Sequence, residues 1–247
     1  GGQYLEQLRL RSGLSQLQVA QKSGVANYAK YESGERPEPK RETVVQMLDA
    51  LTNRFSERKE ALERFTYIAH TPAPTDEEIA WACEVCQPVM DSVPFPSYLL
   101  DMRAYILAWN LYCPPLLSTT DRHMTFLLKP NRLTLFQAFF HPGLAIADKM
   151  GNREQFLDHV VRVLRQDYKP YMNEPWCIEI LGYTFRRYPE FAQVWSTVSE
   201  LPPNEIPARP LTHLRIQTNK GLTAFRVAIE RMTRDERFKV VYLLPAD

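Results

Sequence analysis

The side chains with the clearest chemical use lie in a short stretch near the start of the chain. They are amides, a phenol and cations, and all can hydrogen-bond to phosphate oxygens or base edges: Gln16, Asn27, Tyr28, Lys30, Arg36, Lys40 and Arg41. Asn27 is the best candidate for an adenine edge, because an amide can donate and accept there together. We expect Gln16 and the cations to contact phosphates. This stretch therefore predicts a nucleic-acid surface.

Two short helices are predicted to position these side chains. Ser15 is a good N-cap for a first helix over Gln16–Ser23. Its apolar positions, expected to pack on one face, are Leu17, Val19 and Ala20. Gly24 can adopt the left-handed conformation that ends this helix, and a second helix is predicted over Ala26–Ser33, with Asn27, Tyr28 and Lys30 exposed. In a helix-turn-helix, the second helix enters the major groove.

The stretch resembles the Cro and phage-repressor class of helix-turn-helix domains. The similarity extends from Gln3 to Leu51, and the motif residues are Gly13-Leu14-Ser15-Gln16, Gly24-Val25, Glu32-Ser33-Gly34 and Pro39. Glu32 follows Gly24 by eight positions where the family has about ten, so the recognition helix is expected to be shortened at its start. The resemblance implies binding to double-stranded DNA, and one short recognition helix favours a homodimer on a two-fold-symmetric operator.

Two alternatives to DNA binding remain at this point. Glu32, Glu35 and Glu38 are interleaved with the cations, which is also typical of a solvated basic face. The motif could instead bind protein, as in an interaction or antitoxin-type module whose second domain serves only for dimerisation and binds no ligand. Sequence-specific DNA binding would distinguish the regulator from both alternatives.

Length and charge limit the class of protein. The chain has 247 residues, of which 45% are hydrophobic, enough for two domains with separate cores. Its formal net charge is only +1, which favours a local cationic surface over a protein that coats nucleic acid. The sequence has no apolar run of membrane-spanning length and no recognisable leader, so we expect a cytoplasmic protein without membrane contact.

The four cysteines are predicted to be buried thiols rather than metal ligands. Cys83 and Cys86 form a C-x-x-C pair within a segment of helical periodicity, whereas Cys113 and Cys177 are isolated. A structural zinc site requires two further ligands at similar spacing, and no histidine supplies them. We also find no nucleophile elbow, zinc-protease motif or phosphate-binding loop, so an enzyme and a bound cofactor are not expected.

A proline-rich segment separates two predicted domains. A further helix over Thr52–His70 has an apolar stripe of Phe55, Leu62, Phe65 and Ile68. Two prolines in Thr71–Asp76 interrupt it, and Asp76 is expected to cap a connecting helix. The predicted divisions are residues 1–70 for the all-α helix-turn-helix domain, 71–92 for the linker and connecting helix, and 93–247 for the second domain.

The second domain is predicted to be α+β, with an antiparallel sheet of about five strands. Ser97–Leu100 and Ala104–Trp109 read as a hairpin. The segments predicted to be helical are Arg153–Tyr168, Glu174–Tyr188 and Pro189–Glu200, and those predicted to be strands are Leu211–Gln217, Leu222–Arg231 and Phe238–Leu244. A turn over Thr218–Gly221 joins two of these strands. Val240–Leu244 is apolar at every position, which favours a central strand. This order is typical of a PAS-like sensor.

Two segments of this domain resemble the MmyB-like transcription regulators. They are Pro96–Asn110, which contains Pro-Ser-Tyr-Leu and Ile-Leu-Ala-Trp-Asn, and Tyr188–Trp195, with its Phe and Trp four apart. The resemblance implies a one-component regulator whose PAS-like domain holds a small, largely apolar ligand such as a fatty acid. The candidate ligand contacts are Tyr98, Trp109, Asn110, Phe139, Phe140, Trp176, Tyr183 and Trp195. The alternative is that these side chains only fill the core, and that Asn110 caps a helix.

Overall fold

The computed structural model describes residues 1–67, 70–117, 133–141, 149–198, 212–218 and 221–246. It divides into two compact units: Gly1–Thr71 with Thr233–Glu236, and Pro72–Met232 with Arg237–Asp247. The first unit is helical, with α1 over Gly2–Arg11, α2 over Gln16–Ser23, α3 over Tyr28–Glu32, α4 over Arg41–Leu51 and α5 over Phe55–Arg64. The predicted all-α N-terminal region is therefore confirmed.

The first helix of the helix-turn-helix, α2, begins and ends where the sequence predicts. Ser15 Oγ accepts a hydrogen bond from the Gln18 amide, and the Gln18 side chain accepts one from the Ser15 amide, which completes a capping box. Gly24 closes the helix with a φ of 70°, in the left-handed region that a side chain would disfavour. Val19 is fully buried in the core of the unit.

Three details of these helices were predicted wrongly. Leu17 does not pack on the core but is 67% exposed, because the helix buries Val19 on the opposite side. The second helix begins at Tyr28 rather than Ala26, so Ala26 and Asn27 belong to the turn. The next predicted helix over Thr52–His70 is shorter and covers only Phe55–Arg64. Ile68, which was assigned to its apolar stripe, lies outside the described residues.

The second unit is a sheet with helices on both faces. Its elements are α6 over Asp76–Asp91, β1 over Ser97–Asp101, β2 over Ile106–Trp109, α7 over Cys113–Leu117, α8 over Leu135–Phe140, α9 over Arg153–Tyr168, α10 over Pro175–Arg187, α11 over Pro189–Thr197, β3 over Thr212–Thr218, β4 over Gly221–Arg231 and β5 over Phe238–Ala246. The predicted hairpin is formed by β1 and β2. Two residues of the predicted 218–221 turn lie outside the described part of the chain.

The five strands form one antiparallel sheet in the order β2-β1-β5-β4-β3. The predicted five-stranded sheet with the last strand at its centre is thus confirmed. Alternate residues of β5 face opposite sides, which explains why the strand is apolar throughout. Phe238 and Val240 pack in one cluster with α6, whereas Val241 and Leu243 pack in the larger cluster on the other face.

Helix α6 covers the first of these faces. It buries Ile79, Ala82, Cys86 and Met90, which lie three or four residues apart on one side of the helix. Thr75, and not Asp76 as predicted, is its N-cap: Thr75 Oγ1 accepts from the Glu78 amide, and Glu78 accepts from the Thr75 amide. Glu78 also accepts from Arg237 at 2.6 Å. Burial by itself raises the pKa of Glu78. The hydrogen bonds from Thr75 and Arg237, together with the charge of Arg237, have the larger effect, so the pKa lies below its usual value.

Candidate functional site

Six of the seven residues predicted to contact DNA are exposed on the first unit. They are Gln16, Asn27, Lys30, Arg36, Lys40 and Arg41. Asn27 occupies the N-cap position of α3, but its side chain makes no capping hydrogen bond. Its amide is therefore not committed to the helix end, as a side chain that reads a base requires. Lys30 Nζ lies 3.7 Å from Glu35, a weak exposed ion pair.

Tyr28 does not lie on this surface, so its predicted exposure was wrong. The side chain is fully buried in the core of the first unit, and its hydroxyl donates to the Leu5 carbonyl at 3.2 Å. Burial, the largest cause, raises the pKa of the phenol well above its usual value. The ring anchors the short α3 to α1, because tertiary packing must stabilise a helix of only five residues.

Gln16 is exposed but also takes part in a charged cluster with Arg9 and Glu32. Arg9 Nε and Nη2 donate to the two carboxylate oxygens of Glu32 at 2.7 and 2.8 Å, and Gln16 Nε2 donates to Glu32 at 2.9 Å. Burial raises the pKa of Glu32, and the bonds from Arg9 and Gln16 outweigh it, so the pKa lies below its usual value. The cluster joins α1, α2 and α3, and it fixes the side chain of Gln16 at the start of α2.

Two cations stand at the N-terminus of α4. Lys40 occupies the N-cap position and Arg41 the first helical position, where the helix dipole disfavours positive charge. Glu42 is the acidic residue in the first turn of α4, where negative charge is favourable. Lys40 and Arg41 do not stabilise the helix through its dipole, but their positive charges would attract a phosphate at this terminus.

The second unit contains a cavity on the face of the sheet opposite α6. Its volume is about 120 Å³. Most of the lining is aliphatic or aromatic, from the strands on one side and from α8 and α9 on the other. The strand residues include Tyr98, Leu100, Ile106, Trp109, Val227, Ile229, Val241 and Leu243, and the helix residues include Leu135, Ala138, Phe139, Phe156, Val160 and Leu164. An apolar ring or chain fits such a lining better than a polar metabolite does.

Three of the eight predicted ligand contacts lie in this lining: Tyr98, Trp109 and Phe139. Phe140, Trp176 and Trp195 instead pack around the adjoining core, where Trp195 contacts Phe185 and Phe191. Tyr183 is 50% exposed on α10. The aromatic residues thus divide between the cavity and the solid part of the core, a division that spacing along the chain does not reveal.

Asn110 is a structural residue at the end of β2. Its Nδ2 donates to the carbonyls of Met90 and Phe95 at 2.9 and 2.8 Å, and its Oδ1 accepts from the Ser97 amide at 3.1 Å. These bonds connect the end of α6 to the start of β1, and Asn110 is 1% exposed. The side chain is not part of the cavity lining.

Two residues of the lining that can carry a positive charge were missed by the sequence analysis: Lys239 on β5 and His159 on α9. Lys239 has the same alternation as Val241 and Leu243, so the strand pattern already placed a cation on the apolar inner face. Burial lowers the pKa of His159, and its Nε2 is buried with no hydrogen-bond partner in the described residues. The helical periodicity of α9 did not indicate that His159 lines the cavity.

Comparisons with known families identify both units. Residues 83–239 match the MmyB-like transcription regulator ligand binding domain, and residues 2–52 match a helix-turn-helix domain. The first match covers more than half of the chain, so the chain belongs to the MmyB-like transcription regulators. No curated protein matched the sequence.

The residues that the structure describes contain no group of three or more His, Cys, Asp and Glu side chains placed to hold a metal ion. Cys86, Cys113 and Cys177 are buried free thiols, and Cys83 is half-buried. Among the helices of these residues, none has the length and apolar character needed to span a membrane.

Proposed function

We propose that the protein is a one-component transcriptional regulator that binds operator DNA as a homodimer and senses a small apolar ligand, of fatty-acid type, in the cavity of its second unit. The observation that carries the proposal is the presence, in one chain, of a helix-turn-helix and an apolar cavity of about 120 Å³. The strand order with β5 at the centre supports a PAS-like sensor. We further expect a cytoplasmic protein without a bound cofactor.

We assign base reading to Asn27. Phosphate contacts are assigned to Gln16, Lys30, Arg36, Lys40 and Arg41, and all six residues are exposed on the first unit. The short α3 offers few base contacts, so two half-sites about one helical turn apart are needed for affinity. The test is selection of binding sites from random DNA, followed by footprinting and measurement of the oligomeric state. We expect a two-fold-symmetric site bound by a dimer. Binding without sequence preference would instead support a protein-interaction module.

The size of the cavity suggests a short or medium chain. An engineered apolar cavity of about 150 Å³ in another protein binds benzene, so about 120 Å³ accommodates a group of similar size. Ile229 in the lining is 43% exposed, which leaves room for a longer chain to extend outward. A series of fatty acids from six to twelve carbons should show an affinity optimum, measured by quenching of Trp109 and by native mass spectrometry of the purified protein. If no member of the series binds, the cavity is a packing defect.

Sensing also requires coupling between ligand and DNA. A ligand that favours one DNA-binding state by roughly 1 to 3 kcal/mol changes operator affinity by about 5- to 150-fold, and DNA must change ligand affinity by the same factor. We would measure operator affinity with and without the best acid of the series. Ligand binding that leaves operator affinity and dimerisation unchanged would contradict the sensing role.

A further inference from the structure

Helix α10 has one side in the core of the second unit and one side open to solvent. Its buried side chains are Cys177, Ile180, Leu181 and Thr184. On the opposite side, Ile178 is 60% exposed and Tyr183 is 50% exposed. The helical period places five residues on this side, which we name the outer face of α10: Ile178, Glu179, Gly182, Tyr183 and Arg186. Two large apolar side chains on one helix face form a patch that is suited to a protein contact.

Gly182 lies in the middle of the outer face, and the fold of the single chain does not require a glycine there. It is an interior residue of the helix, and its φ is not among the positive values. Among the described residues, a Cβ added at Gly182 would meet only Arg186 Nη1, at 3.5 Å, which is an ordinary contact with a flexible side chain. Glycine is less stable than alanine inside a helix. What its missing Cβ allows is the close approach of another backbone.

Glu179 and Arg186 lie on either side of Gly182 and are both exposed. They are seven residues apart, about 10.5 Å along the helix axis, so they cannot pair with each other. In the part of the chain that the structure describes, neither side chain has an ion-pair partner. Because the two opposite charges flank one centre almost symmetrically, the outer face of α10 is complementary to a copy of itself turned by 180°.

We infer that two copies of this chain pair through the outer face of α10, with the two helices antiparallel and crossing at Gly182. A two-fold axis beside Gly182 sets Glu179 of each copy opposite the partner's Arg186, as an isologous contact requires. Ile178 and Tyr183 then pack against the partner helix, which the missing Cβ lets come close. The inference rests on the homodimer of the proposed function and names the surface that forms it.

The contact is small, since each copy contributes one helix of 13 residues. Interfaces below the standard size are typical of weak or transient association. We therefore expect the free chain to dimerise in the micromolar range. An operator with two half-sites holds two copies at a high effective concentration and should strengthen the same contact.

Charge reversal tests the pairing of Glu179 with the partner's Arg186. In a dimer of Glu179→Arg, or of Arg186→Glu, two attractive contacts become two repulsive ones. Sedimentation velocity of the full chain should show that each variant dimerises at least about tenfold more weakly than wild type. An equimolar mixture of the two variants restores opposite charges at both contacts. The mixture should therefore form heterodimers with an affinity close to that of the wild-type dimer.

Gly182→Ala separates the interface from the fold. Alanine has the higher helix propensity and the site has room for its Cβ, so the variant should raise the melting temperature at concentrations where the chain is monomeric. The same Cβ would hold the two helices apart and should weaken the dimer severalfold. A purely structural role for Gly182 predicts instead a lower melting temperature, which would contradict the inference.

The matched controls are Glu84→Arg on α6 and Arg226→Glu on β4, two exposed positions of the second unit outside the outer face of α10. They make the same changes of net charge and should leave the dimer unchanged. If they weaken it as much as the α10 variants do, the assignment of the interface is overturned. A mixture of Glu179→Arg and Arg186→Glu that stays monomeric would also overturn it.

The outcomes separate this inference from the proposed function. A wild-type dimer that neither Glu179→Arg nor Arg186→Glu weakens would leave the homodimer in place and refute only its assignment to α10. A wild-type chain that is monomeric both in solution and on the selected operator would contradict the proposed homodimer itself, and this interface with it.

Discussion

The two charged clusters of the molecule differ in how completely their members are paired. In the first unit, the carboxylate of Glu32 accepts two hydrogen bonds from Arg9 and one from Gln16, and its side chain is 4% exposed. In the second, Asp167 is shared by Lys239 and Arg231, is 23% exposed and adjoins a cavity. The buried Glu32 joins three helices, whereas the partly exposed Asp167 joins the end of α9 to β4 and β5.

The same contrast applies to the cores. Val19, Tyr28, Val44, Met47 and Leu48 of the first unit are all fully buried and closely packed. The inner face of the sheet, by contrast, leaves space between Leu100 and Val241 on the strands and Phe156 and Leu164 on α9. A DNA-binding unit needs one rigid geometry, and a sensor needs room for an occupant.

The largest effect is expected where the cluster around Glu32 is broken. Glu32→Ala leaves the half-buried Arg9 without its carboxylate partner, and loss of one member of a buried ion pair costs about 3 to 5 kcal/mol. We expect the first unit to lose protection in hydrogen–deuterium exchange over residues 1–64 and to lose DNA binding. The double variant Arg9→Met with Glu32→Leu should recover much of the stability, because apolar side chains of similar volume can replace a buried pair.

The control for this prediction is the exposed pair Arg64–Glu60. Its side chains are 52% and 48% exposed, so Glu60→Ala should cost less than about 1 kcal/mol. Because Glu60 also accepts from Tyr4, a small loss from that bond is included. If Glu60→Ala and Glu32→Ala lowered the free energy of unfolding by similar amounts, burial would not increase the contribution of the Arg9–Glu32 pair to stability.

A second prediction compares the two faces of the sheet. Ala138→Leu places a larger side chain in the cavity and should abolish octan-1-ol binding without lowering the melting temperature, because it fills existing space. Ala82→Leu, at a fully buried site between α6 and the sheet, should cost about 1 to 3 kcal/mol through overpacking. Tryptophan fluorescence reports both, since Trp81, Trp109, Trp176 and Trp195 all lie in the second unit. Equal destabilisation by both variants would argue against the cavity.

Much of the fold could be predicted from local signals. Ser15 and Gly24 mark the ends of α2 because a cap and a left-handed residue are local requirements, and both positions were correct. The central position of β5 followed from its two apolar faces. By contrast, α3 starts two residues late because Tyr28 must reach the core, a tertiary demand that helix propensity does not contain.

A third prediction separates base reading from phosphate contact in the first unit. Asn27→Ala should cost about 1 to 3 kcal/mol on the selected operator and little on random DNA. Arg41→Ala should weaken binding to both DNAs alike and reduce the slope of log affinity against log salt by about one. Affinities are measured by fluorescence anisotropy between 50 and 200 mM salt, a range set by the usual loss of phosphate contacts. Equal losses on both DNAs for Asn27→Ala would contradict its assignment.

The candidate sites were harder to predict than the fold. Trp109 and Trp176 look alike in sequence, yet only Trp109 lines the cavity. Gln16 was found at the expected helix terminus, but its bond to Glu32 joins residues sixteen positions apart and depends on the packing of α2 against α3. Asp167 is bonded to Arg231 and Lys239, which are 64 and 72 positions away, so this contact depends on the sheet register and on the packing of α9 against the sheet.

The smallest expected effect concerns His159 and pH. Burial lowers its pKa in the folded state below the unfolded value of about 6.5, so the unfolded chain binds more protons near that pH. The contribution of His159 to stability is therefore fully present above about pH 6.5 and is lost as the pH falls. His159→Phe and His159→Gln should both make the melting temperature of the second unit less dependent on pH between 7.5 and 5.5, a range chosen about the unfolded pKa. Because glutamine is polar but does not titrate, agreement between the two variants assigns the effect to protonation rather than to polarity. A slope equal to that of wild type in both variants would show that His159 titrates alike in the folded and unfolded chains.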